Sequence, residues 1–170
     1  MEHRGKPYSS DLRERVIGHI EAGHTRRDAA ARFGAREALV FGDERYRFTD
    51  LAHQIDQAAK GLMAQGVERG DHVALWLNNC SQWIFISFAL AKIGAVQVPI
   101  NTRFRTTDLD YVLRQSDATM LITHDQSGPI GYFAMVRDIV ALPAPEHTIA
   151  DPNFPALRRL LIPGPGHSGG

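Results

Sequence analysis

The 170-residue chain predicts an α/β fold on a doubly wound, mostly parallel sheet, and three observations carry that expectation. Short and nearly continuous apolar runs at 72–77, 95–100 and 119–122 have the character of strands buried on both faces. Helical spacing of apolar residues at 49–63, 81–93 and 106–113 alternates with those runs. Strand, helix and strand at 72–77, 81–93 and 95–100 form one βαβ unit, and units of that kind build parallel sheets.

Two short helices are expected ahead of the sheet. Ser9 or Ser10 is placed to cap a helix whose Leu12, Val16 and Ile20 recur every fourth residue, with Ile17 beside them and Gly23 as its stop. Thr25, with Asp28 three residues on, is placed to cap a second in a variant of the capping box. Its Ala29, Ala30 and Phe33 face inward and Gly34 ends it. Helix, glycine turn, helix is a helix-turn-helix shape. Residues 38–41 and 45–48 then read as strands around Gly42-Asp43, a hairpin signal. Thr49 caps a helix with Leu51, Ile55, Ala58, Ala59, Leu62 and Met63 on one face, closed by Gly66. After the βαβ unit, Thr106 or Thr107 caps a helix through Leu113. Residues 132–142 form another, with Phe133, Val136 and Val140 inward. Pro143, Pro145, Pro152 and Pro155 then impose loop, and 157–162 offers one last strand before a Pro/Gly/Ser tail. The chain accordingly divides into 1–34, 35–142 and 143–170.

Composition narrows the function. Net charge is zero, yet residues 1–36 carry eight basic against five acidic side chains. That excess has the sign needed for phosphate contact, with Arg26 and Arg27 as the candidate nucleic-acid residues. The single cysteine, Cys80, excludes an internal disulfide framework, fits a reducing cytoplasm and reads as a packed residue beside a helix cap. No apolar run approaches the roughly 20 residues of a membrane span, so a cytoplasmic location is expected. The histidines lack metal spacing, His19 and His24 being five apart, and no metal site is expected. Gly164-Pro165-Gly166-His167-Ser168-Gly169 fits G-x-G-x-x-G formally, but a dinucleotide fingerprint must open a helix and Pro165 stands inside the turn.

Several stretches in one order resemble AMP-forming acyl-CoA synthetases of the adenylate-forming superfamily. Asp28 to Asp43 resembles the entry to their large domain, Tyr46-Arg47-Phe48-Thr49-Asp50-Leu51 a first core motif, and Gly94 to Asn101 a second. Gly66-Val67, Gly70 to Ala74, Asn78-Asn79, Tyr111-Val112-Leu113, Ser116-Asp117-Ala118, Tyr132 to Arg137 and Phe154 to Arg159 continue the series, so the likeness runs from 28 to 164. It implies part of that large domain, an incomplete doubly wound sheet. The intact family uses ATP, Mg and CoA to activate a fatty or aryl carboxylic acid. The phosphate-gripping loop, the ribose acid and the C-terminal lysine of that chemistry have no counterpart here, so no catalytic residue is assigned and none of the three ligands is expected to bind well. Arg103 and Arg105 follow the second core motif, where a nucleotide or thioester ligand is conceivable. Residues 6–34 resemble instead the helix-turn-helix of insertion-sequence transposases, through Lys6 to Ile17 and Arg26 to Gly34. The base-reading helix is replaced by Glu37-Ala38-Leu39-Val40-Phe41, which has strand character. Together the resemblances imply a truncated ligase fragment, inactive by itself. The alternatives are one subunit of a split synthetase, completed by a complementing fragment, and a transposase-derived DNA-binding protein.

Overall fold

A computed structural model describes residue 14 and residues 17–19, 21–23, 25–143 and 148–164, with the backbone alone at 26, 29 and 30. Ser9, Ser10, Leu12, Val16 and Ile20 of the first expected helix lie outside the described residues, as do His24 and 165–170 of the G-x-G-x-x-G stretch; residues 17–19 and 21 are helical. The chain forms two compact units, Met1–His53 and Gln54–Gly170.

In the first unit, helix α1 spans Arg26–Gly34 and carries the capping box its sequence announces. The Asp28 N–H donates to Thr25 Oγ1 at 3.1 Å, while Asp28 Oδ2 accepts from the Thr25 N–H at 2.9 Å. Strands β1 (Glu37–Phe41) and β2 (Glu44–Arg47) make an antiparallel hairpin across Gly42, whose φ of 57° suits a tight turn. Helix α2 covers Phe48–Ala64. Thr49 is not its cap, because its hydroxyl donates to the Gly34 carbonyl at 3.2 Å, and Asp50 takes the capping role by accepting the Arg47 N–H at 3.0 Å. Met63 is also misplaced by sequence reasoning, being 53% exposed. One residue turns a helix by about 100°, which carries Met63 off the stripe that seats Ala59 and Leu62.

The second unit is organised around four parallel strands: β3 (His72–Trp76), β4 (Val96–Pro99), β5 (Met120–Thr123) and, near the end, β8 (Arg159–Leu161), in the order β4-β3-β5-β8. Helix α3 (Ser81–Ile93) links β3 to β4, and α4 (Thr106–Gln115) links β4 to β5. A small hairpin, β6 (Gln126–Ser127) and β7 (Ile130–Gly131), leads into α5 (Tyr132–Ile139) before β8. Alternation along β3 sends Val73 and Leu75 to one face with Ala59, Leu62, Ile86, Ala89 and Leu90. Ala74 and Trp76 go to the other, with Leu109, Leu113, Tyr132 and Val136. Both faces are therefore covered, as the unbroken apolar strands require.

Two helix ends and one loop differ from expectation. The cap of α4 is Arg105, whose N–H donates to the Asp108 carboxylate at 3.1 Å, so neither Thr106 nor Thr107 fills that place. Helix α5 stops at Ile139 rather than Leu142, because Asp151 Oδ2 captures the Ala141 N–H at 2.7 Å and draws the backbone into an extended path. The proline-rich loop adds more to the core than its composition implies, since Ile149, Phe154 and Leu157 are buried there.

Two of these features predict measurable behaviour. Gly94 ends α3 at φ 79°, and a Cβ there would lie 3.1 Å from Arg69 Cγ. Left-handed backbone costs an L-residue roughly 1–2 kcal/mol, so Gly94→Ala should lower the urea unfolding midpoint by a corresponding amount. An unchanged midpoint would contradict that geometry. Asp151 is buried, and the Ala141 and Asn153 N–H groups, then the Arg114 charge, hold its carboxyl below the ordinary range. A carboxyl with a depressed folded pKa contributes stability that is complete above the unfolded value of about 3.9 and is lost as pH falls through the folded value. Unfolding free energy should therefore drop on acidification below about pH 4, and Asp151→Asn should flatten that slope; equal slopes in the two proteins would refute the assignment.

Candidate functional site at the carboxyl edge of the sheet

Parallel α/β sheets bind ligands beyond the carboxyl ends of their strands, where neighbouring strands send their connections in opposite directions. Here β3 exits toward α3 and β4 on one side, while β5 exits through the hairpin and α5 toward β8 on the other. The crevice between the ends of β3 and β5 is the topological switch point. Asn78 and Asn79 follow β3, Asn101 to Arg103 follow β4, and His124 and Asp125 follow β5.

Tyr132 ties these loops together. Its ring is 1% exposed and meets the Trp76 ring edge-on, with centroids 4.7 Å apart. Its hydroxyl donates to Asn78 Oδ1 at 2.9 Å and lies 3.4 Å from the Thr102 carbonyl. The Asn78 amide in turn donates to Ser127 Oγ on the hairpin. Trp76 Nε1 donates to the Asn101 carbonyl at 3.1 Å, and Thr123 Oγ1 to the Trp76 carbonyl at 3.1 Å. A buried aromatic pair thus supplies two polar tips to an otherwise apolar floor, the arrangement in which buried Tyr and Trp are stable. Beside it, burial alone pushes the His124 imidazole below its ordinary value, favouring the neutral ring.

The loop after β4 is occupied with itself. Asn101 Oδ1 accepts the Arg103 N–H at 2.9 Å in a side-chain turn. The Arg105 guanidinium folds back onto the carbonyls of Thr102, Arg103 and Phe104 at 3.2, 3.0 and 2.8 Å. Arg105 therefore acts as a loop pin, whereas Arg103 is exposed at the same edge. Arg26 and Arg27 occupy the first turn of α1, far along the chain from this edge; the Arg27 side chain is exposed and that of Arg26 lies outside the described atoms. Cys80 is half-buried at the N-cap of α3. Among the described residues, no three His, Cys, Asp or Glu side chains gather as metal ligands, and no helix is long and apolar enough to cross a membrane. The Tyr132–Asn78–Ser127 connection was invisible to periodicity; the only available signal was the Ser127-Gly128-Pro129 turn chemistry between two strands of two residues each.

The sequence pattern of AMP-binding enzymes matches residues 26–161. YngI of Bacillus subtilis, named as a putative acyl-CoA synthetase, is 37% identical over 154 residues, 86% of this chain and 27% of that protein. The crotonobetaine/carnitine–CoA ligase of Proteus mirabilis is 36% identical over 128 residues, 72% of this chain and 24% of the ligase. This chain thus spans about a quarter of the length of those relatives. Among solved structures, the N-terminal domain of FACL13 from Mycobacterium tuberculosis superposes with a TM-score of 0.64 at 27% identity, covering 81% of this chain and 32% of that one. The anthranilate CoA ligase AuaEII, crystallised with anthranoyl-AMP, shares the fold with a TM-score of 0.62 at 22% identity, over 88% of this chain and 25% of the other. A parallel sheet wound in this order, with a family match over most of its residues, has one consistent explanation: the chain belongs to the AMP-binding enzyme family.

Proposed function

We propose that this chain is the opening segment of an acyl-CoA ligase that activates a fatty or aryl carboxylic acid, and that its role is to form one wall of the adenylation site. In the intact reaction a carboxylate oxygen attacks the α-phosphorus of ATP and expels pyrophosphate; the CoA thiol then attacks the acyl carbon and expels AMP. Mg²⁺ would offset the phosphate charge during the first step. The observation that carries this reading is the likeness to YngI over most of the chain. The residues at the carboxyl edge support a scaffold role, since Asn101 and Arg105 spend their side chains on their own loop, and Trp76 and Tyr132 on the loops after β4 and β3. On this reading residues 35–142 carry most of the α/β segment, 1–34 precede it, and 143–170 contribute its last strand and part of its core.

Acid-dependent ATP–pyrophosphate exchange tests the proposal. The chain alone should show none, and co-expression with a chain carrying the remaining three quarters of such a ligase should restore it. Exchange by the isolated chain would overturn the scaffold role, and failure of a complementing chain to restore activity would overturn the reading as one subunit of a split synthetase. A second reading concerns residues 6–34 as a DNA-contacting arm. It is favoured by the contact of helical His19 with Phe33 of α1, rings 5.9 Å apart and edge-on, which gives two helical segments packed across the Gly23 turn. A salt-sensitive mobility shift on terminal-repeat DNA that is lost on replacing Arg26 and Arg27 would support it, and no shift would remove it.

A further inference from the structure

The hairpin of residues 126–131 leaves the carboxyl end of β5, yet its side-chain anchor is on the loop that leaves β3. It therefore bridges the switch-point crevice, the place where a ligand of an open α/β sheet must enter. We propose that this hairpin is a latched flap across the crevice, with Asn78 as the catch.

Three observations support a latch rather than ordinary packing. The hairpin's own strands are only two residues long, Gln126–Ser127 and Ile130–Gly131, too short to be stable without an anchor. Its polar tie to the β3 side is a relay through one carboxamide: the Tyr132 hydroxyl donates to Asn78 Oδ1, and Asn78 Nδ2 donates to Ser127 Oγ. Asparagine can do this because its side chain accepts at one end and donates at the other. Finally, the flap is bounded by firm ground. Tyr132, the next residue, is buried against Trp76, and Thr123 before it is fully buried and bonded to the Trp76 carbonyl. The segment between touches the core through half-buried Ile130, while Gly128 with φ 58° and Pro129 form an exposed tip held by the Gln126 side chain on the Gly128 carbonyl. Local opening of such a weakly anchored unit costs less than global unfolding. A ligand that offers Asn78 another acceptor in place of Ser127 would release the flap.

Amide hydrogen exchange by NMR, covering fast and slow regimes, tests the proposal on the chain itself without any ligand. Asn78→Ala should accelerate exchange at Ser127, Ile130 and Gly131 about tenfold, one catch being worth about 1.4 kcal/mol by that conversion, while Ala74, Leu75, Leu121 and Ile122 keep their protection. Ser127→Ala, outside the core, should reproduce the pattern, and the double variant should add nothing. Unchanged hairpin exchange in both variants, equal acceleration across the sheet, or additive effects of the two substitutions would each overturn the latch.

Discussion

Trp76→Ala is expected to destabilise the protein by about 3–5 kcal/mol, the range for removing a large aromatic side chain from a core. The ring is completely buried on the face that α4 and α5 cover, and it touches the Tyr132 ring at right angles. Truncation leaves a cavity among Leu109, Leu113 and Val136 and also removes the indole donor of the Asn101 carbonyl, which keeps only the Phe104 N–H at 3.0 Å. Domains of this size hold about 5–15 kcal/mol in total, so the variant should unfold at much lower urea and much lower temperature. Far-UV circular dichroism is the suitable probe, because fluorescence would lose one of only two tryptophans. A midpoint equal to that of the unsubstituted protein would mean that the ring does not occupy this core.

Leu75→Ala should cost about 2–5 kcal/mol, although Leu75 is the immediate neighbour of Trp76. Along a strand adjacent side chains point to opposite faces, so this leucine faces Ala59, Leu62, Ile86 and Leu90 instead. A sheet covered on one face only would make one of the two substitutions nearly silent. Large losses from both are therefore a direct test of the doubly wound arrangement. Val96→Ala serves as the control, since that side chain is 45% exposed on β4 and its truncation should change stability by no more than about 0.5 kcal/mol. If Leu75→Ala matched that control, the α2 and α3 layer would not be packed on the sheet as described.

The central layers were legible from the sequence because strand burial on both faces leaves a strong apolar signal. Helix α3 appears at 81–93, as its spacing predicts, and Thr25 with Asp28 forms the expected box. The misreadings arise where a polar side chain has a distant partner. Thr49 looks like a cap until the Gly34 carbonyl claims its hydroxyl. The end of α5 depends on Asp151, ten residues beyond the N–H that it binds, and no local pattern reports such a pairing. The candidate site was legible as a set of family-like stretches, including Asn78-Asn79, Gly94 to Asn101 and Tyr132 to Arg137. What joins them was not, because the distance from Asn78 to Tyr132 spans 54 positions along the chain and is closed only by the winding of the sheet.

That sheet's two outer strands are chemically unequal. On one margin, β4 ends in Pro99, which has no amide hydrogen to offer another strand. On the opposite margin, β8 consists of Arg159, Leu160 and Leu161 with no proline; the Arg159 N–H is turned inward to the Thr119 carbonyl at 3.3 Å, and alternation turns the Leu160 amide outward. Lateral growth of the ribbon, whether by further polypeptide or by unwanted self-assembly at high concentration, is thereby directed to the β8 margin, where Arg159 is the only charge in the strand that can oppose it.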